Sequence, residues 1–101
     1  MWICLNHGFI SIVKDKDEPR NLLVRARKRG VLETMFPSAQ ILTNAGTDYQ
    51  YRVSVLAPLA MTAVVKEMKN INYTNFKDSV RDKELAQDYA EFWFTHFQSN
   101  I

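Results

Sequence analysis

Cys4 and His7 stand three residues apart in "WICLNHGF" and form the only close pair of a thiol and an imidazole in the chain. A cysteine nucleophile needs a base within hydrogen-bond reach. Extended backbone through this stretch places the two side chains on opposite faces, and one cysteine with one histidine leaves a zinc ion short of ligands. The carboxylates Asp15, Asp17 and Glu18 crowd into a charged turn with no apolar neighbour to raise a pKa for acid–base work. Gly8, Gly30 and Gly46 are too scattered for a phosphate-cradling loop. No catalytic residue, no metal site and no cofactor are therefore expected, and the chain reads as a non-enzyme.

Charge recognition is the second chemistry on offer. In "NLLVRARKRG", four of the five positions from Arg25 to Arg29 are cations. Alternation along a strand sets Arg25 and Arg27 opposite Leu22, Val24 and Ala26, and Arg29 joins them if the strand runs on. Arg52, in "DYQYRVSV", faces the same way if Tyr49, Tyr51 and Val53 face the helices, and Gln50 shares its side. Arginine suits carboxylate and phosphate recognition better than lysine does. The candidate partner-binding set is Arg25, Arg27, Arg29, Arg52, Gln50 and Phe94. A plain solvated face, its arginines paired with nearby acids, would give the same letters, and such surface pairs contribute only ~0–1 kcal/mol each.

The elements that must position these residues follow from periodicity. With 101 residues, 47% apolar and 24% charged, the composition is that of one globular domain over residues 1–101. No apolar run approaches the ~20 residues of a bilayer span, and the amino terminus lacks the cationic start of a signal peptide. A cytoplasmic setting is expected, in keeping with the single cysteine. "WICL" and "FISIV" read as a hairpin around "NHG" with Gly8 last in a three-residue connection, or as one bent strand. "LLVRAR" reads as a half-buried strand and "GVLETMFP" as a helix of two to three turns stopped by Pro37. "AQILTN" and "DYQYRVSV" read as a second hairpin around "NAGTD", and "APLAMTAVVKEMKNI" as an amphipathic helix.

The last segment, "DKELAQDYAEFWFTHF", is a helix with acids in its first turn. Leu85, Tyr89, Phe92 and His96 form one stripe, Ala86, Ala90, Trp93 and Phe97 its neighbour, and Phe94 lies outside both. One face cannot bury all of these, so part of the aromatic surface is expected to meet Trp2 and Phe9, and the rest a partner or a second copy in a homodimer. The resulting fold class is α+β: a two-layer sandwich with a small antiparallel or mixed sheet and helices on one face, ferredoxin-like or related, with an extra C-terminal aromatic helix. The charge is polarised. Six cations face two anions between Arg20 and Arg52, and two cations face five anions between Asp78 and Glu91.

The ordered set "WICLNHGFISIV", "LLVRAR", "FPSAQ", "DYQYRVSV" and "NFKDSV" resembles a family of small uncharacterised proteins of bacteria, prophages and other mobile elements. The likeness spans nearly the whole chain and departs from the family pattern at His7, where an acid is usual. It brings no established activity. What it implies is a context in which short stand-alone proteins act as inhibitors or adaptors of host machinery, anti-CRISPR proteins among them. Composition and resemblance together point to a protein-binding regulator or inhibitor that meets a protein partner with an acidic surface or a nucleoprotein complex, with no membrane role. A nucleic-acid-binding module using an arginine-rich sheet face is the alternative, its weak point a net charge of only +2.

Overall fold

Alternation in "FISIV" and "LLVRA" sets Ile10, Ile12, Leu22, Val24 and Ala26 on one face of the sheet, and Ser11 and Arg25 among Phe9, Val13 and Leu23 on the other. In the computed structural model, which describes residues 1–44, 46 and 48–99 with the side chains of 97–99 excluded, the strands are β1 (Trp2–Leu5), β2 (Gly8–Lys14), β3 (Asn21–Ala26) and β4 (Tyr51–Leu56). The helices are α1 (Val31–Met35), α2 (Ala57–Lys69), α3 (Phe76–Ser79) and α4 (Lys83–Ser99). The strands form one antiparallel sheet in the order β1-β2-β3-β4. This is an α+β domain, and its sheet is a plain meander in which every strand lies beside its neighbour in sequence.

The apolar face carries Ile10, Val24, Ala26, Val53 and Val55, all buried, with Ile3, Ile12, Leu22 and Tyr51 packed around them. Val31, Leu32 and Phe36 from the α1 region and Ala60 and Ala63 from α2 close this core. Small residues at 60 and 63 let α2 approach the sheet closely. Leu56 runs directly into α2, and Pro58 in the first turn needs no backbone donor there. Lys66 and Lys69 in the last turn complement the helix dipole.

Several local expectations resolve differently. The first hairpin closes over the two residues Asn6 and His7, because Gly8 already pairs with Leu5 as the first residue of β2. A side chain at position 8 would collide with Val31, so glycine there admits α1 to the sheet. α1 is only five residues long. Gly30 precedes it in the left-handed region at φ 97, and the helix stops because Phe36, disfavoured from helical backbone by Pro37, turns into the core. The expected strand in "AQILTN" is reduced to a single bridge between Leu42 and Arg52; Leu42 stays exposed and gains no burial to hold a longer ladder. Positions 45 and 47 of "NAGTD" lie outside the described residues.

α4 is the element that leaves the first layer. Asp82 accepts from the backbone N–H of Leu85 at 3.0 Å and so caps its start. Leu85 and Tyr89 then pack with Val80 against Cys4, Phe9 and Phe76 on the opposite sheet face, and the Tyr89 hydroxyl donates to the Leu5 carbonyl at 2.9 Å. Burial drives the Tyr89 pKa well above its ordinary value. Further along that face Ser11 is buried beneath Arg25, and the segment before β4 rather than a helix lies over the arginines through Tyr49. No helix among the described residues is long and apolar enough to cross a membrane.

Candidate partner-binding face

The register aligns Trp2, Ser11, Arg25 and Arg52 in one row across all four strands, on the face away from the main core. Arg25 and Arg52 are direct partners, two like charges side by side. Within the row Ser11 is only 1% exposed, and its hydroxyl accepts from a terminal nitrogen of Arg25 at 2.8 Å. The Tyr49 ring lies over the same guanidinium, 4.6 Å from the ring centroid. Its carbonyl accepts from Arg52 Nε at 3.4 Å. One residue thus steadies both arginines.

Two sequence expectations change here. Arg25 is half-buried rather than largely exposed, because the tyrosine ring covers it and the serine holds it from below. Tyr49 lies on the arginine side, whereas Tyr51 packs against the main core as alternation requires. Arg27 continues the face and is exposed, and Gln50, immediately before β4, is exposed beside it. Arg29 is also exposed, but β3 ends at Ala26, so it belongs to the turn before α1 rather than to the row.

None of Arg25, Arg27, Arg29 and Arg52 makes an ion pair among the described residues. The acids near the sheet are engaged elsewhere: Asp15 accepts from Ser54 Oγ at 2.5 Å, which holds its carboxyl below the usual range, and Asp82 and Glu84 face Lys28 at 3.3 and 3.8 Å. The backbone N–H of Leu85, followed by Lys28, lowers the Asp82 pKa. Arg25 Nε is buried with no acceptor, a departure from the rule that buried donors are satisfied.

Beyond Arg27, a cleft of about 640 Å³ opens between the sheet and α4. Phe9 and Tyr89 form its inner part; Trp2 and Phe92 stand exposed at 68% and 59%. Phe94, 55% exposed, projects from α4 well away from the row. Trp93 lies under Lys77 at 4.8 Å, and Phe97 lies outside the described side chains.

Neither the family models nor the curated proteins nor the solved structures give a match to this chain.

The turn of the first hairpin holds a pairing that sequence reasoning missed. His7 Nε2 lies 2.7 Å from Glu67 Oε1, tying the first hairpin to α2 across 60 residues, at a cleft of about 680 Å³. Cys4 lines that cleft too, yet no hydrogen bond joins it to His7 among the described residues. Burial raises the Cys4 thiol pKa, the opposite of what an activated thiolate needs. No group of three or more His, Cys, Asp or Glu among the described residues is placed to hold a metal ion. Ser11 was missed as well. Alternation in "FISIV" was a usable signal for Ser11, since it sets a lone hydroxyl among apolar residues on the side of Arg25.

Proposed function

We propose that the protein is a small non-enzymatic binding protein, a regulator or inhibitor that grips an acidic protein surface through Arg25, Arg27 and Arg52, with Gln50 beside them and Arg29 at the margin. The observation that carries this reading is the adjacent Arg25–Arg52 pair, which no carboxylate among the described residues neutralises. Like charges directly opposite each other destabilise a sheet, so a partner that brings carboxylates would relieve a cost already present in the free protein. Arginine, with its planar fork of donors, is suited to that contact. Phe94 and the exposed end of α4 supply a second surface for self-association or for the same partner. The resemblance to phage and mobile-element proteins supports a component of host machinery as the target, as for anti-CRISPR proteins, and the single cysteine suits a cytoplasmic setting.

Single-stranded nucleic acid is the second reading, favoured by the Tyr49 ring over Arg25 and by exposed Trp2 in the same row. One experiment separates the two. The protein and its Arg27→Glu/Arg52→Glu variant are immobilised and exposed to bacterial lysate with and without nuclease, at low and moderate salt. Capture that survives nuclease and is lost in the variant supports a protein partner. Capture abolished by nuclease, with direct oligothymidylate binding that falls steeply with salt, supports nucleic acid. Capture unchanged by the double variant overturns both.

A further inference from the structure

The cleft between the sheet and α4 adjoins the arginine row through Tyr49, which lines the cleft while its ring lies on Arg25. Its inner surface is aromatic, from Phe9 and Tyr89, and two more rings, Trp2 and Phe92, remain exposed at its edge. The volume of about 640 Å³ is ample for one aromatic side chain. Its rim is dipolar. On the sheet side stands Arg27, without an ion pair; on the α4 side Glu84 is engaged by Lys28 at 3.8 Å, while Asp88 makes no ion pair among the described residues.

We infer that this cleft is an anchor pocket for a single aromatic side chain on the partner, carried by a segment with carboxylates on the side that meets the arginine row and a neutral or basic residue on the side that meets Asp88. The inference rests on the protein-binding reading above and deepens it by specifying the chemistry of the bound segment. Charge complementarity fixes the occupant. A segment acidic throughout would bring a carboxylate against Asp88, and an entirely basic one would meet three unneutralised arginines. An aromatic anchor seated among rings with charged groups at the rim is an arrangement in which a few residues dominate association, while the rim charges set orientation and encounter rate.

The test uses the full-length protein and two synthetic peptides of sequence Glu-Glu-Trp-Gly-Lys and Glu-Glu-Ala-Gly-Lys, with affinities read by chemical-shift titration at low salt. The tryptophan peptide is expected to bind about ten-fold more tightly than the alanine peptide, a preference that shrinks to less than about two-fold in the Trp2→Ala/Phe92→Ala variant. Both substituted side chains are exposed, so the fold is retained. A third peptide, Glu-Glu-Trp-Glu-Glu, is expected to gain affinity several-fold when Asp88 is changed to Lys. Equal binding of the first two peptides by the wild type overturns the inference. So does displacement of the tryptophan peptide by oligothymidylate at lower concentration than by the third peptide, which would assign the cleft to nucleobases. If no peptide binds at millimolar concentration, the pocket assignment falls, while the reading of the arginine face stands or falls separately on the lysate capture by the Arg27→Glu/Arg52→Glu variant.

Discussion

Arg25 and Arg52 are cross-strand partners on the sheet face away from the main core, and the single residue Tyr49 contacts both. The sheet therefore carries a local repulsion that folding alone does not require. Replacing one member with an acid should turn a like-charge pair into an opposite-charge pair. Arg52→Glu is expected to leave thermal stability unchanged or raise it by the ~0.2–1 kcal/mol of a favourable cross-strand pair, while weakening partner association. Parallel thermal melts and binding titrations check this; a marked loss of stability would mean that Arg52 serves the fold rather than recognition.

The core prediction follows from the alternation in β3. Val24 and Leu32 are both fully buried. Leu32→Ala should cost about 2–5 kcal/mol through lost packing and the cavity left behind. Val24→Asp should abolish cooperative unfolding altogether, since it places an unpaired charge in the sheet centre. Denaturant melts followed by circular dichroism decide both.

Attachment of α4 can be loosened without touching the main core. Tyr89→Phe leaves the ring in place but removes the donor to the Leu5 carbonyl. A loss of ~0.5–1.5 kcal/mol is expected for one hydrogen bond removed, since the Leu5 carbonyl keeps its strand partner Gly8, together with faster amide exchange along α4.

Acid should act on the same helix. The Asp82 pKa is lowered in the folded state by the Leu85 backbone N–H and then by Lys28. The unfolded state therefore binds this proton more readily. The stabilisation is complete above the ordinary aspartate value of about 4 and is lost as pH falls from there through the lowered folded value. Asp82→Asn keeps an oxygen acceptor for the cap but should flatten this part of the pH–stability profile. An unchanged acid limb would show that other carboxylates control it.

Cys4→Ala and His7→Ala should each leave partner binding largely intact: neither has a catalytic partner in reach, and the small Cys4 side chain is one of many lining the α4 cleft. His7→Ala loses a partly exposed pair with Glu67, a change of ~0–1 kcal/mol. Loss of function in a well-folded variant of either residue would bring a catalytic reading forward.

The elements whose periodicity is long or strictly alternating were legible in the sequence. β3, β4 and α2 arise as the pattern requires, and Val24, Ala26, Val53 and Val55 face the core together. The short pieces were not legible, since their extent depends on tertiary contacts: α1 ends where Phe36 finds the core, and the "AQILTN" strand dwindles where Leu42 finds none. Within the candidate site, alternation placed Arg25, Arg27 and Arg52 on one side. It could not reveal that Tyr49, before β4 begins, folds its ring over Arg25, nor that Glu67 comes to His7. Those contacts depend on loop path and helix rotation, which strand periodicity does not encode.

The hydrogen bond from Tyr89 to Leu5 spans 84 residues of chain, whereas each strand of the meander meets the next across a short connection or a single excursion. Ordering contacts of such different separation costs unequal loop-closure entropy. The sheet with α1 and α2 is then expected to assemble first and α4 to dock last and release first. The helix that walls the cleft is thus the least cooperatively held part of the molecule, so partner binding there would be read as slowed release of α4 in native-state hydrogen exchange.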